Sequence, residues 1–272
     1  MTAGGPRPAE VSGIELQELS VTYRGARGDI RAVKGCSFSI PRGGITGLVG
    51  ESGSGKTSAL MAIPALLPPG AVVGGRILLD GNDITKLGEE DMNKLRWRRV
   101  ALVPQGAMNS FTPHLTIERH ITEVLDCHLK MSRGDARARA SELMETVGLE
   151  RGILTRYAHE LSGGQKQRAA LAAALACEPD FLLADEPTTA LDVITQKEVL
   201  DTIASLARKR GMGILLVTHD LPLALGICGT LIVMRDGSIV EYGRSRKLVA
   251  APEQPYTRAL IGAIRDMEGE SA

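Results

Sequence analysis

Aromatic residues are scarce: three Phe, four Tyr and one Trp make up 3% of 272 residues. The single Trp97 stands among Arg96, Arg98 and Arg99. One aromatic with three cations is a poor surface for stacking bases, so a packed Trp on a basic helix face is the expected reading. An excess of either charge is lacking too, because 32 Lys+Arg balance 32 Asp+Glu. Without a global field to draw in nucleic acid or anionic lipid, any bound anion must be held locally, and no nucleic-acid partner is expected. Cysteines are few: Cys36, Cys127, Cys177 and Cys228 form no CxxC pair. That argues against a zinc or iron–sulfur site and for free thiols in a reducing cytoplasm. No apolar run is long enough to span a bilayer unbroken. The longest uncharged stretch, Thr57 to Gly75, is interrupted by Pro64, Pro68, Pro69 and Gly70, so a membrane crossing is not expected. Residues 1–13 are rich in Gly, Pro and Ala, lack the apolar region of a secretory signal, and read as a flexible tail.

What is present, 43% hydrophobic and 24% charged residues, is the composition of a globular protein with one core and an inserted lobe. Ile14 to Tyr23 alternates imperfectly, as an edge or half-buried strand would, and Phe38 with Ile40 marks a second strand. Short apolar runs at Ile45–Val49, Val100–Val103, Phe181–Ala184, Ile214–Thr218 and Leu231–Met234 alternate with helix-like segments. A mostly parallel sheet, buried on both faces, follows from that rhythm. Between Gln105 and Glu178 the strand signal disappears. There Ala136, Ala140, Leu143, Met144 and Val147 share one helical face, with Ser132 and Gly148 as start and stop signals. This predicts a helical lobe over about residues 106–178. Asp236-Gly237 between Leu231–Met234 and Ile239–Tyr242 predicts a hairpin. Val199, Leu200, Ile203, Leu206 and Ala207 predict one more amphipathic helix.

Gly50-Glu51-Ser52-Gly53-Ser54-Gly55-Lys56-Thr57 matches G-x-x-x-x-G-K-[ST] and lies between a strand and a helix, where a phosphate-cradling loop belongs. Chance alone produces such a string in about one chain of this length in a hundred, or fewer. The glycines let successive backbone N–H groups face phosphate oxygens, Lys56 can reach the β and γ phosphates, and Thr57 can offer a hydroxyl to Mg²⁺. Phe181–Ala184 runs into Asp185 and Glu186 before Pro187 stops the strand. Alone, that acidic pair is a solvated loop start or a helix cap. Beside a P-loop it places Asp185 as the Mg²⁺ partner and Glu186 to orient the attacking water. Leu161-Ser162-Gly163-Gly164-Gln165 opens an Ala-rich helix whose start is a second anion site.

In this order the motifs resemble those of the ATP-binding cassette (ABC) ATPases, from about Ile14 onward. The P-loop, the LSGGQ signature and the LLADE strand are joined by Gln105, which matches the Q-loop, by Ala190-Leu191-Asp192, which matches the D-loop, and by His219, which matches the switch histidine. The resemblance implies an α/β fold, a P-loop NTPase with a RecA-like mixed-sheet core, antiparallel β elements and an inserted α-helical subdomain. ABC ATP-binding residues would span 14–250, and 251–272 would be a short C-terminal extension. ATP and Mg²⁺ are the implied cofactors. Lys56, Glu186 and His219 are implied in catalysis, and Thr57, Gln105 and Asp185 at the metal. The nucleotide would meet Tyr23 as an adenine-stacking aromatic, the P-loop through Ser58, Gln105, and Ser162, Gly163, Gly164, Gln165 and Asp192 across a dimer.

Val103-Pro104-Gln105 through Phe111-Thr112-Pro113, Asp185 through Val193, and Pro255-Tyr256-Thr257-Arg258-Ala259-Leu260 resemble the oligopeptide, dipeptide and nickel importer group. Gln254 departs from that pattern, which usually has His before Pro-Tyr-Thr, and the chain ends before the cysteine-bearing tail of long members. The resemblance therefore implies a peripheral protein on the cytoplasmic face of the inner membrane. Its partners would be two permease subunits, a second ATPase (a paralogue or another copy) and, indirectly, an extracytoplasmic solute-binding protein. A soluble ABC ATPase acting on nucleic acid or the ribosome is the first alternative, but a single cassette without coiled-coil heptads does not favour it. An exporter motor shares all the ATP chemistry, and the Pro-Tyr-Thr ending favours import.

Overall fold

The computed structural model describes residues 12–26 and 28–269, so the expected N-terminal tail lies outside the described residues apart from its last two positions. The first half of the chain runs β1 (Gly13–Tyr23), β2 (Ile30–Pro41), β3 (Ile45–Val49), α1 (Lys56–Ala62), β4 (Ala71–Leu79), β5 (Asn82–Asp83), α2 (Glu89–Leu95) and β6 (Val100–Val103). The helices α3 (Ile117–Leu129), α4 (Arg133–Thr146) and α5 (Gly163–Ala174) follow, before β7 (Phe181–Asp185), α6 (Val193–Arg210), β8 (Gly213–Thr218) and α7 (Leu221–Ile227). The chain then forms β9 (Thr230–Arg235), β10 (Ser238–Arg244), α8 (Ser245–Ala250) and α9 (Pro255–Gly269).

Two sheets result. A six-stranded sheet has the order β10-β9-β3-β8-β7-β6, with β3 paired in parallel to β8 and β9, and β7 in parallel to β8 and β6. Every residue of β3, β7 and β8 is buried, as expected where helices and a second sheet cover both faces. The Asp236-Gly237 turn joins β9 to antiparallel β10 with positive φ at both residues, 49° and 80°, as a tight hairpin requires. The second sheet is antiparallel with the order β2-β1-β4-β5. Leu16, Leu19, Val21, Phe38, Ile40 and Ile77 of this sheet pack with Leu48, Leu60, Phe181 and Leu215 in one core. The other face of the six-stranded sheet and the helical segment α3–α5 share the larger core, around Ile121, Leu125, Leu143, Leu171 and Leu182.

The structure refines three readings from sequence. β1 is the half-buried strand of the two alternatives, not the edge one; it lies between β2 and β4, and its alternation breaks because Glu18, at φ 51°, shifts the register against both neighbours. The uncharged stretch after Thr57 is α1, a turn and then β4, a strand hidden because its Val-Val-Gly-Gly start is largely exposed. Trp97 is not on a helix face. It follows α2 with a left-handed φ of 65°, packs against the larger core, and sets its ring 5.9 Å from that of His128. All four cysteines are free, and no helix of the described residues is long and apolar enough to cross a membrane.

The helices that carry the polar motifs start on local caps. Ser132 and Asp192 accept the third amide of α4 and α6 on their side chains, and Ser162 with Gln165 forms a reciprocal capping box on α5. α6 closes with Arg208, Lys209 and Arg210 in its last turn and Gly211 at φ 63°, complementing the negative end of its dipole.

Candidate functional site

The loop after β3 is shaped by contacts that only glycine tolerates. Gly50 (φ 150°) would carry a Cβ 2.1 Å from the Met234 carbonyl oxygen, and Gly55 (φ 99°) one 2.2 Å from that of Ala32. A side chain at either position would push the loop away from β9 and β2, which brace it. The Gly55 cap contributes no side-chain hydrogen bond to the first amides of α1, which leaves them for a ligand. Lys56 is 5% exposed and folds back on its own loop, donating to the carbonyls of Gly50 and Glu51 at 2.8 Å each and to Ser54 Oγ at 3.4 Å. Burial lowers its pKa, against the opposing charges of Glu186 and Asp185.

Asp185 closes β7 at 2% exposure, and its Oδ1 has no hydrogen-bond partner. Burial pushes its pKa up; the Thr57 hydroxyl pulls the other way, while the Glu186 charge adds to the rise. A buried carboxylate oxygen left unpaired is costly in a protein interior. Beside a threonine hydroxyl it belongs to an all-oxygen set suited to a hard cation such as Mg²⁺, so the residues present fit the expected metal.

Glu186, at φ 47°, leaves the strand by a backbone conformation rare for its type, while its amide still bonds the Val217 carbonyl at 2.8 Å. Three donors converge on its carboxylate: His219 Nδ1 at 3.0 Å, Thr189 Oγ1 at 3.0 Å and Gln105 Nε2 at 3.1 Å. Burial works against its ionisation, yet the bonds from His219 and Thr189, with the His219 and Lys56 charges, hold its pKa below the ordinary glutamate range. Glu186 is thus an ionised acceptor at neutral pH.

A cavity of about 260 Å³ unites Ser52, Gly53, Gly55, Lys56, Thr57 and Ser58 with Ala32, Gln105 and Glu186. Six of the expected phosphate-loop residues therefore share one space with two of the residues expected at the γ-phosphate end. Tyr23 reaches this space only indirectly, donating its hydroxyl to Ser58 Oγ at 3.0 Å. Ser162, Gly163, Gly164, Gln165 and Asp192 do not line it. Ser162 and Gln165 are occupied in their capping box, with Gln165 N–H to Ser162 Oγ at 3.3 Å and Ser162 N–H to Gln165 Oε1 at 3.0 Å. Asp192 accepts from the amide and hydroxyl of Thr195 at 3.0 and 2.7 Å. Gly164 must lack a side chain because a Cβ there would lie 2.2 Å from Thr195 Cγ2, where α5 crosses α6.

Two contributors escape sequence reading. Thr189 bonds Glu186 from a loop position with no pattern of its own, and Ala32 offers the site only backbone and a methyl group. A larger cavity, about 390 Å³, lies between β6 and the helical segment and is lined by Trp97, Leu102, Phe111, His120, Val124 and Ala170 among others. It is mostly apolar and holds no cluster of acids and bases, so the phosphate chemistry belongs to the smaller space.

Comparison with known proteins gives a consistent result. A family model described as "ABC transporter" matches residues 33–189. The oligopeptide transport ATP-binding protein OppD of Salmonella typhimurium is 36% identical, over 98% of this chain and 80% of that protein. The oligopeptide transport ATP-binding protein AppD of Bacillus subtilis is 41% identical, over 94% and 80%. Among solved structures, the dimeric bacterial ABC transporter cassette MJ0796 superposes with a TM-score of 0.76 at 30% identity, covering 86% of this chain and 99% of that one. The cbiO1 protein of Clostridium perfringens, part of the ABC transporter complex cbiONQ, gives 0.76 at 27%, covering 88% and 91%.

Proposed function

This chain belongs to the ABC transporter family as an ATP-binding subunit, an ATPase that couples hydrolysis to transport, and from that premise we propose that it drives uptake of a peptide-like solute. The solute class rests on the names of relatives such as OppD and AppD, together with the Pro255-Tyr256-Thr257 segment that this chain has in common with the importer group. A nickel or metal-chelate solute remains the second reading within the same group.

The observation that carries the chemistry is the convergence of Gln105, Thr189 and His219 on the carboxylate of Glu186, which with Gln105 lines one cavity with Lys56 and Thr57. ATP hydrolysis joins a water oxygen to the γ-phosphorus and breaks its bond to the β,γ-bridging oxygen, releasing ADP and phosphate. Glu186, ionised and held from three sides, accepts a hydrogen bond from that water and sets its line of attack. Lys56 must exchange the Gly50 and Glu51 carbonyls for phosphate oxygens, so nucleotide entry competes with the loop for its ammonium group. His219 stands at the same carboxylate and is placed to contact the γ-phosphate end. Mg²⁺ would be held by Asp185 and Thr57, with Gln105 beside them, and when bound it neutralises charge on the β- and γ-phosphate oxygens.

The signature residues and Asp192 lie away from the cavity within one chain, and next to Asp192 the apolar Val193 and Ile194 are 81% and 74% exposed. This supports a head-to-tail pair in which Ser162, Gly163 and Gly164 of one subunit close over the nucleotide of the other. The partner in that pair is a sister ATPase or a second copy, and ATP binding closes it as a γ-phosphate-driven switch. Membrane permease subunits are the partners that family membership implies. The apolar cavity around Trp97 and Phe111, beside the helical lobe at about residues 106–178, suits a helix of one permease subunit. In that assembly the chain sits peripherally on the cytoplasmic face of the inner membrane and meets the solute-binding protein only through the permeases.

Glu186→Gln tests the chemistry. It should keep ATP binding and lose roughly two to three orders of magnitude in turnover, the scale of removing one positioned polar group from a reaction centre. Near wild-type steady-state hydrolysis by that variant would overturn the assignment.

A further inference from the structure

Tyr23 ends β1 beside the nucleotide loop, and the antiparallel sheet fixes it from both sides, through Ile30 of β2 and Ala71 of β4. β2 is also the strand pressed on the P-loop, since the Ala32 carbonyl forbids a side chain at Gly55. The Tyr23 ring packs against the core that fully buries Ala59 and Leu60 of α1. From that seat its hydroxyl donates to Ser58 Oγ at 3.0 Å. Both ends of this bond therefore stand on elements held rigid by packing.

Ser58 lines the cavity of about 260 Å³ that holds the P-loop residues, and Tyr23 does not. A serine hydroxyl carries one proton and two lone pairs. The phenol, the more acidic of the two hydroxyls, donates and fills one lone pair of Ser58 Oγ. The serine keeps its own proton, which has no acceptor among the described residues. A phosphate oxygen in the cavity is the acceptor it lacks, and a bond to that charged oxygen is stronger than one between neutral groups. Released from the phenol, the hydroxyl would be free to turn back onto a carbonyl of the preceding helical turn, a bond that serine commonly makes within a helix.

We propose that Tyr23 is a positioning residue for the polyphosphate, acting through Ser58: its hydroxyl holds the serine so that the serine proton faces the cavity. This role belongs to the hydroxyl and concerns the phosphates, whereas the expected stacking on adenine uses the face of the ring and concerns the base. The end of β1 thereby contributes to phosphate affinity although Tyr23 does not line the cavity. Loss of one such hydrogen bond is worth roughly three- to tenfold in affinity. This inference rests on the nucleotide-binding reading of the P-loop.

The test is a mutant cycle on the full-length chain in the presence of Mg²⁺. A fluorescent ATP analogue is titrated directly, and inorganic tripolyphosphate, which has no base, is titrated as its competitor. Tyr23→Phe keeps the ring and its packing and removes only the hydroxyl. It should raise the analogue Kd and the tripolyphosphate Ki by the same factor, roughly three- to tenfold. Ser58→Ala alone should lose at least as much for both probes, and adding Tyr23→Phe to it should change neither further. Ser58→Thr, which retains the hydroxyl, should restore the dependence on Tyr23. A loss for the analogue with an unchanged tripolyphosphate Ki would assign the Tyr23 hydroxyl to the base and overturn the proposal. Unchanged affinities in Tyr23→Phe or in Ser58→Ala, or an equal loss from Tyr23→Phe in the Ser58→Ala background, overturn it as well. Each of these outcomes leaves the ATPase reading standing, whereas failure of the wild-type chain to bind either probe overturns both.

Discussion

Two arginines and two aspartates hold the antiparallel sheet against the nucleotide sheet, and replacing one of them measures that junction. Arg42, just after β2, donates to Asp80 and to Asp180, at 2.8 Å each. Arg99, just before β6, donates to Asp80 at 2.6 Å and also to Asp180, so each guanidinium bridges both carboxylates. The Arg42 guanidinium also lies 5.0 Å from the ring centre of Phe181, the first residue of β7. Asp180→Asn conserves shape and removes one negative charge, leaving two cations on one carboxylate. Hydrogen bonds to charged groups are worth about 1.5–3 kcal/mol when buried, and exposed ion pairs about 0.2–1. The side chains of Asp80 and Asp180 are 27% and 31% exposed, which places the loss between those limits, at about 1.5 kcal/mol. For a domain of this size that lowers Tm by roughly 3–6 °C. The pH dependence has a definite sign. Arg42 is the chief cause of the lowered Asp180 pKa, followed by Arg99; at Asp80, burial opposes the same two arginines and is outweighed. A carboxylate with a depressed folded-state pKa contributes stability above its unfolded pKa, about 3.9, and loses it as pH falls through the folded value. Chemical denaturation of wild type and variant between pH 7 and pH 3 should therefore show a constant gap down to about pH 5 and a closing gap below pH 4. A gap under about 0.3 kcal/mol at pH 7, within the usual scatter for surface substitutions, or one that widens on acidification, would refute the reasoning.

Gly164→Ala should destabilise the α5–α6 contact by about 1–3 kcal/mol, because the new methyl group meets Thr195 Cγ2. Adding Thr195→Ser, which deletes that methyl and keeps the hydroxyl bonded to Asp192, should restore most of the Tm; no recovery would show that the clash is not the cause. Lys56→Ala removes the loop ammonium group proposed to exchange the Gly50 and Glu51 carbonyls for phosphate oxygens, and should weaken ATP binding by roughly tenfold or more, measured by equilibrium titration. Unchanged affinity would count against the role of Lys56.

The sequence by itself determined the features that depend on a few consecutive residues. The P-loop glycines, the Asp236-Gly237 turn and the helix start at Ser132 are local geometric requirements, met by residue type at a fixed spacing, and they are legible before any folding. The buried strands β3, β7 and β8 were equally plain, because strands covered on both faces read as continuous apolar runs. Family resemblance then brought Gln105, Glu186 and His219 together as a set, although they are far apart along the chain. Tertiary structure decided what needs partners distant in sequence. β4 and the interior place of β1 depend on which strands pair, and a largely exposed Val-Val-Gly-Gly start carries no periodic signal of that choice. The left-handed turn at Trp97 reflects packing where α2 meets β6. Thr189 donates to Glu186 only because the loop after β7 folds back, and Ala32 touches the P-loop through its carbonyl, which every residue type possesses. The Arg42–Asp80–Arg99–Asp180 ring joins segments that lie far apart along the chain. Such contacts form only when a compact core brings those segments within hydrogen-bonding or van der Waals range, and no short stretch of sequence encodes that closeness.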